Sequence, residues 1–214
     1  MEKLINGISE FKRKDYAERK KLFAELATGQ SPEVLFITCA DSRIDPGLIT
    51  QSEPGDLFVC RNAGNIVPPH AQNVSGITAS IEYAVAVLGV KDIVVCGHTD
   101  CGAMKGAMNP QSIKSLPHVS NWLDHSSSAL ARVKARHNGD IGPEHTLEMI
   151  QENTLQQLQH LETHPSVAAK LATGEINLHA WVYDIEHGDV NCYDHTKNSF
   201  ITVEEWWQSE AKSA

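Results

Sequence analysis

The chain has 214 residues, a formal net charge of −9 and five cysteines. A chain of this length fits a single domain, here residues 1–214, that buries roughly 70% of its unfolded surface without needing disulfides. The acidic balance without a basic cluster argues against a nucleic-acid-binding surface, and the absence of an apolar run of about 18 residues argues against a membrane span. An odd number of cysteines and an N-terminal stretch without a signal-peptide pattern favour reduced thiols in the cytoplasm.

Residues 1–27 have the pattern of an amphipathic N-terminal helical arm. Apolar side chains recur at helical spacing through Leu4, Ile5, Ile8 and Phe11, and Lys, Arg and Glu lie between them. The pattern by itself fits a helix that packs on the protein's own sheet. Turn residues follow directly, so we expect the helix to end near residue 27.

Apolar runs bounded by turn residues predict five strands, at residues 33–38, 57–60, 91–96, 176–184 and 190–193. Helical patterns lie between or after them, at residues 74–88, 119–137, 144–161 and 165–171. Strands that alternate with helices predict an α/β fold with a mainly parallel central sheet flanked by helices. A hairpin after the fourth strand adds one antiparallel edge strand, and residues 194–214 form a C-terminal tail with a short helix.

Two of the predicted strands end in side chains that bind metals. Cys39 follows the first strand, and His98 and Cys101 lie in the loop after the strand at 91–96. Because open α/β sheets place their chemistry at the carboxyl ends of parallel strands, these two loops are expected at one sheet edge. Three protein ligands of this type leave one open position, which is the pattern of a catalytic zinc ion.

Three segments carry a resemblance to a known family. Cys39–Arg43, Arg61–Asn65 and His98–Ala103 resemble the signature segments of the β-class carbonic anhydrases, and the bacterial and cyanobacterial members most of all. The resemblance implies reversible hydration of CO2 to bicarbonate and a proton, through a hydroxide on one Zn2+ per chain. It also implies self-association, with a homodimer as the unit, a tetramer as the expected assembly, and the N-terminal helix laid across a partner subunit.

Asp41 and Arg43 are the expected catalytic pair. Asp41 lies two residues after the first metal ligand and can therefore face the open position, where it can orient solvent or bind the metal itself. The guanidinium of Arg43 matches a carboxylate in a two-pronged geometry, so we expect it to hold Asp41 off the metal. The resemblance implies the same pairing, and the alternative is a surface ion pair that contributes ~0–1 kcal/mol.

The remaining substrate contacts are implied by the resemblance alone. Phe58, Ala63 and Tyr83 would line an apolar pocket for CO2. Gln30 from a neighbouring subunit and the backbone N–H of Gly102 would bind the oxygens of bicarbonate. From composition alone, Phe58 and Tyr83 fit core positions equally well.

Some family members also have a second, inhibitory bicarbonate site. Its Trp and Gly positions are occupied here by Phe36 and Thr38, whereas Arg61 and Tyr183 match the remaining partners. We therefore predict that the inhibitory site is absent.

The remaining cysteines have a simpler role, and other functions of the same chain are possible alternatives. Cys60, Cys96 and Cys192 are expected to be packing thiols rather than ligands. The same zinc site would also suit a hydrolase of CS2 or COS, and a non-catalytic zinc- or bicarbonate-binding relative is a further alternative. A thiol redox protein fits less well, because the chain has no Cys-x-x-Cys pair.

Overall fold

The structure is a computed structural model that describes residues 1–71 and 75–210. It contains two compact units, Met1–Ser31 and Pro32–Ala214, which are described separately below. The last four residues of the predicted tail and the first residue of the helix predicted over 74–88 lie outside the described residues.

The N-terminal unit contains three short helices instead of the single helix predicted over residues 1–27. They are α1 (Glu2–Arg13), α2 (Asp15–Glu18) and α3 (Lys20–Leu26). A cluster of aromatic rings explains the breaks. In one straight helix Phe11 and Phe23 would lie about 18 Å apart along the axis, but their ring centroids are 5.9 Å apart, and Tyr16 stacks on Phe23 at 5.2 Å.

The apolar side of α1 is exposed. Leu4 is 63% exposed, Ile5 57% and Ile8 68%, and no residue of this helix is buried. Scattered apolar residues are normal on protein surfaces, but a contiguous stripe of this kind marks an interaction site.

The larger unit is built on a six-stranded sheet in the order β2-β1-β3-β4-β5-β6. The strands are β1 (Val34–Cys39), β2 (Leu57–Asn62), β3 (Asp92–His98), β4 (Asn177–Tyr183), β5 (Val190–Asp194) and β6 (Ser199–Thr202). The first four are parallel, while β5 and β6 pair antiparallel at one edge. The predicted mainly parallel sheet with an antiparallel edge is confirmed. The prediction missed β6, a four-residue strand inside the region interpreted as the tail.

Helices cover the sheet. They are α4 (Pro46–Thr50), α5 (Gly76–Tyr83), α6 (Gly102–Met108), α7 (Pro117–Leu123), α8 (Ser127–Arg136), α9 (Thr146–Glu162), α10 (Pro165–Ala172) and α11 (Val203–Glu210). A π-helical turn, Ala84–Leu88, continues α5, and 3-10 turns lie at Pro110–Ile113, Asp124–Ser126 and Pro143–His145. The 3-10 turn at Asp124–Ser126 divides the helix predicted over 119–137 into α7 and α8. Across residues 1–71 and 75–210, none of the helices is both long and apolar enough to span a bilayer.

Alternate residues of the central strands point into two separate cores. One contains Leu35, Ile37, Ile93 and Val95, and the other contains Phe36, Val94 and Cys96. Burial on both faces explains why these strands read as continuous apolar runs in the sequence. It also makes β1 and β3 the rigid centre of the sheet, and the metal-binding side chains lie at their carboxyl ends.

Gly97 tests how closely the helix layer packs on this centre. An added Cβ would lie 2.7 Å from Thr154 Oγ1 and 3.0 Å from Ile150 Cγ2 of α9. Because both neighbours are buried, we expect Gly97→Ala to lower the free energy of unfolding by about 1–3 kcal/mol, measured by urea denaturation. Gly47→Ala, whose Cβ would meet nothing closer than 3.6 Å, is the control, and equal stability of the two variants would contradict this packing.

Candidate metal centre

The register of the sheet brings the two ligand-bearing loops together. Thr38 of β1 pairs with Cys96 of β3, so Cys39 lies level with Gly97, one residue before His98. Cys101 is the residue immediately before α6, three positions further along the same loop. The sequence expectation that these side chains share one sheet edge is therefore met by the parallel pairing of β1 with β3.

The three side chains form a group that can hold a metal ion. One ligand atom from each of Cys39, His98 and Cys101 lies within 4.8 Å of the other two. The side chains are buried, with exposed fractions of 5%, 0% and 1%. No other cluster of three or more such ligands was found in the part of the chain that the structure describes.

The imidazole of His98 is oriented as a metal ligand would be. Its Nδ1 lies 2.9 Å from the carbonyl oxygen of Thr99, so Nδ1 carries the proton and donates it to that carbonyl. The lone pair of Nε2 then faces the sulfurs. Nε2 is buried and has no hydrogen-bond partner, which is costly for a polar atom unless something else satisfies it. A cation between Nε2 and the two sulfurs would do so.

The two thiols share one proton easily but lose both with difficulty. The pKa of Cys39 is lowered because the Cys101 thiol hydrogen-bonds to its sulfur. The backbone N–H of Gly64 also donates to this sulfur, at 3.4 Å. The pKa of Cys101 is raised, first by its hydrogen bond to Cys39 and then by burial. A divalent cation would balance the second negative charge, so this donor set fits a metal bound by two thiolates.

Asp41 and Arg43 form the expected pair beside this group. The guanidinium of Arg43 donates from Nε to Asp41 Oδ1 at 2.9 Å and from Nη2 to Oδ2 at 2.8 Å, and the Arg43 backbone N–H donates to Oδ1 at 3.0 Å. These bonds to Arg43 hold the pKa of Asp41 well below its usual range. Asp41 Oδ2 is 3.9 Å from His98 Nε2, so the carboxylate is next to the metal-binding atoms while being held by Arg43.

Arg43 has a second carboxylate partner that the sequence analysis did not identify. Its Nη1 donates to Asp100 Oδ2 at 2.8 Å, and its Nη2 lies 3.3 Å from the backbone oxygen of Asp100. Lys105 binds the other carboxylate oxygen of Asp100. The signal available in the sequence was the position of Asp100 between His98 and Cys101.

The segment at residues 61–65 supports the first ligand from the opposite side. Arg61 donates from Nε to the carbonyl of Cys39 at 3.0 Å and from Nη2 to the carbonyl of Asp41 at 2.7 Å. Gly64 has a φ of +79°, and a Cβ there would lie 2.8 Å from Met104 Cε. Only glycine adopts this conformation and leaves this space without strain, and its N–H reaches the Cys39 sulfur as a result.

Side chains from distant helices hold the same segment in place. Asn153 of α9 donates from Nδ2 to the carbonyl of Gly64 at 3.0 Å, and Trp122 of α7 donates from Nε1 to the carbonyl of Ala63 at 2.9 Å. Asn153 is fully buried and accepts from Ser126 and Gln157. The sequence predicts neither the Asn153 nor the Trp122 contact, because neither residue lies near a recognisable motif.

One chain does not bring all of the predicted substrate residues to this group. Phe58 and Tyr83 contact each other, with ring centroids 6.1 Å apart. However, Phe58 pairs with Leu35, four residues before Cys39, which places it about 13 Å back along the strands. Ala63 lies in the 61–65 segment beside the metal-binding group, and Gly102 is the first residue of α6. Gln30 belongs to the N-terminal unit.

The residues at the positions of the inhibitory site have structural partners. Thr38 is buried and donates from Oγ1 to the carbonyl of Cys96 at 2.8 Å. Phe36 is buried with its ring centroid 6.0 Å from that of Trp181. Arg61 is bonded to the two carbonyls described above. The absence of an inhibitory site stays a prediction.

The three remaining cysteines lie outside the metal-binding group. Cys60, Cys96 and Cys192 are buried and free of disulfides. Burial raises the pKa of Cys60, and it raises the pKa of Cys96 and of Cys192 to about 12. These thiols are protonated at neutral pH and behave as packing residues.

Comparisons with known proteins agree with the site. The family model described as carbonic anhydrase matches residues 34–190. A carbonic anhydrase of Pseudomonas aeruginosa is 47% identical over 211 residues, which cover 96% of this chain and 93% of that protein. The structure of the β-carbonic anhydrase CcaA superposes with a TM-score of 0.91 at 42% identity, covering 94% of this chain and 98% of that one.

A more distant structure has the same fold. One of two tetrameric β-carbonic anhydrases from the filamentous ascomycete Sordaria macrospora gives a TM-score of 0.77 at 30% identity, covering 89% of this chain and 95% of that one. The chain described here belongs to the carbonic anhydrase family. The solved structures place it in the β class of that family, and its reaction is the reversible hydration of CO2.

Proposed function

We propose that this chain interconverts CO2 and bicarbonate at a single zinc ion held by Cys39, His98 and Cys101. The observation that carries the proposal is the buried Nε2 of His98, which has no partner of its own and faces two thiols within 4.8 Å. Thiolate and imidazole donors together suit zinc better than magnesium or calcium, which prefer oxygen ligands. Three protein donors also leave a fourth position for the reaction.

The protein residues set how reactive that position is. When bound, zinc would supply a Lewis acid that lowers the pKa of water at the open position and so provides a nucleophile for CO2. The thiolates of Cys39 and Cys101 together cancel the +2 charge. This residue set therefore gives a weaker electrophile than three neutral histidines do, and we expect activity to rise toward alkaline pH.

Asp41 orients the reacting solvent. Because Arg43 keeps the pKa of Asp41 low, the carboxylate stays ionised through the neutral range and acts as a hydrogen-bond acceptor beside the metal-binding atoms. Arg43 occupies both carboxylate oxygens and so opposes movement of Asp41 into the open position. We expect Ala63 to line the pocket for CO2 and the backbone N–H of Gly102 to bind the oxygens of bicarbonate.

Replacing a ligand tests the metal assignment. We expect Cys39→Ser to lose bound zinc after dialysis. A serine hydroxyl is a poor zinc ligand, and it stays protonated under conditions in which a cysteine thiol loses its proton to bind the metal. Zinc per chain is measured by plasma mass spectrometry on purified protein. Cys192→Ser changes a buried thiol outside the group and should retain about one zinc per chain. Equal zinc content in the two variants would contradict the assignment.

Replacing Asp41 tests the catalytic role. We expect Asp41→Asn to keep its zinc but to hydrate CO2 at least about 100-fold more slowly, the range of a positioned acid–base group. Stopped-flow hydration with a pH indicator gives the rate, and the exposed Asp189→Asn is the matched control. An Asp41→Asn variant with normal turnover and normal zinc would remove Asp41 from the mechanism.

The same measurement decides between the zinc-site alternatives. If zinc-loaded wild type hydrates CO2 no faster than the buffer does, the proposed CO2 hydration activity is wrong. Turnover of carbon disulfide or carbonyl sulfide by that sample would then indicate a hydrolase. If the sample turns over none of these substrates, the chain is a non-catalytic zinc-binding relative.

A second copy of the chain is needed to complete the substrate pocket. We propose that the N-terminal unit docks by its exposed stripe of Leu4, Ile5 and Ile8 onto another copy, forming a dimer that assembles further into a tetramer. Two observations support this: the stripe is exposed, and Phe58 lies far from the metal group of its own chain. In such a dimer Gln30, Phe58 and Tyr83 of one copy would face the metal group of the other.

Charged residues in the stripe test this assembly. We expect the double variant Ile5→Asp/Ile8→Asp to sediment as a smaller species than wild type in analytical ultracentrifugation, because two carboxylates cannot be buried against an apolar partner. Lys3→Asp is the control, because Lys3 is exposed on the other side of the same helix and the substitution changes the net charge by the same amount as the double variant. An unchanged mass for the double variant would contradict docking through this stripe.

A further inference from the structure

The guanidinium of Arg43 lies between two carboxylates. Asp41 takes Nε and Nη2, and Asp100 takes Nη1 at 2.8 Å and approaches Nη2 through its backbone oxygen at 3.3 Å. These four contacts use all three nitrogens of the guanidinium. The side chain of Arg43 is therefore fixed in direction, not merely paired in charge.

Asp100 is itself fixed at both ends. Its backbone has a φ of +60°, a left-handed conformation that Asp and Asn adopt more readily than other residues with a Cβ. This residue lies between His98 and Cys101, so the metal-binding loop sets its position. On the other side, Lys105 of α6 binds the carboxylate oxygen that Arg43 leaves free.

The loop at residues 39–43 is thereby tied to the loop at residues 98–101 by one side chain. Arg43 belongs to the first loop, and its outer nitrogen is anchored on the second. If that anchor were lost, Arg43 would keep its bonds to Asp41 but could move together with it. The carboxylate oxygen Oδ2 of Asp41 already lies 3.9 Å from His98 Nε2, so a small movement would bring it onto a metal ion.

We propose that Asp100 is a positioning residue that anchors Arg43, so that the Asp41 carboxylate stays off the open metal position, with Lys105 holding Asp100 in place. This inference rests on the proposed function, in which Asp41 acts beside that open position. The competing interpretation is an ordinary surface ion pair, since Arg43 and Asp100 have side chains 43% and 55% exposed. The two interpretations differ in whether a substitution at Asp100 changes which ligand occupies the open metal position.

Cobalt substitution makes the ligand at the open position visible. Co2+ in the zinc site absorbs visible light with an intensity and wavelength that depend on its ligands, and carboxylate differs from solvent. We compare wild type, Asp100→Asn, Asp41→Asn and the double variant at one pH, with Lys105→Met as a fifth sample. Asparagine keeps the size and the left-handed preference of Asp100 but removes its charge, so the fold is retained.

The expected result is a shift that needs Asp41. In Asp100→Asn the ratio of carboxylate-bound to solvent-bound cobalt rises by about two- to fivefold, the range for an exposed charge-assisted pair. Lys105→Met shifts it in the same direction by less. Within the Asp41→Asn background, Asp100→Asn changes nothing, because the carboxylate that would move is gone. On zinc enzyme, kcat in Asp100→Asn falls in proportion to the loss of the solvent-bound fraction.

The controls distinguish failure of the Asp100 positioning role from failure of the proposed function. Lys170→Met breaks an exposed ion pair with Glu175 far from the metal group and should leave the spectrum unchanged. If Asp100→Asn has the wild-type spectrum and kcat while Asp41→Asn behaves as expected, Asp100 is a surface ion pair and only this inference fails. If wild type binds no cobalt or hydrates no CO2, the proposed function itself fails. A shift that persists in the Asp41→Asn background would also overturn the positioning role.

Discussion

The parallel pairing of β1 with β3 is the constraint on which the metal centre depends. It sets Cys39 level with Gly97, and it does so within two apolar cores that bury both strands on both faces. Moving the pairing by one residue would turn every side chain to the opposite face and transfer core residues to the wrong layer. The position of the first ligand relative to the other two is therefore secured by the hydrophobic packing of the whole sheet.

A second layer of polar contacts refines the position that the sheet provides. Gly64 donates to the Cys39 sulfur, Asn153 holds Gly64 from α9, and Arg61 binds the carbonyls on either side of Ala40. Hydrogen bonds of this kind orient ligands before a metal arrives and tune the charge on them. Because Asn153 is fully buried and uses both ends of its amide, the segment around Gly64 has little freedom to shift.

The ligands and the Asp41–Arg43 pair could be predicted from the sequence because their signal is local. Asp41 lies two positions after Cys39 and two positions before Arg43, and His98 and Cys101 share one loop after a strong apolar run. The contacts of Asn153, Trp122 and Asp100 could not be predicted, because they join residues 89, 59 and 57 positions apart. No periodicity or spacing carries that information, since it depends on how the helices pack.

The fold shows the same division. Alternating apolar runs and helical patterns predicted the parallel sheet and its antiparallel edge, because each element's pattern reflects its own burial. The break of the N-terminal helix depends on contacts among Phe11, Tyr16 and Phe23 that a helical repeat does not reveal. Strand β6 was missed because it is four residues long and pairs only with its neighbour β5.

The most direct test of this account is a crystal structure of the zinc-loaded protein grown at alkaline pH. We predict a metal bound by Cys39, His98 and Cys101, with solvent at the fourth position and with Asp41 still hydrogen-bonded to Arg43. A metal bound by the Asp41 carboxylate at that pH, or one held by any other cysteine, would contradict it.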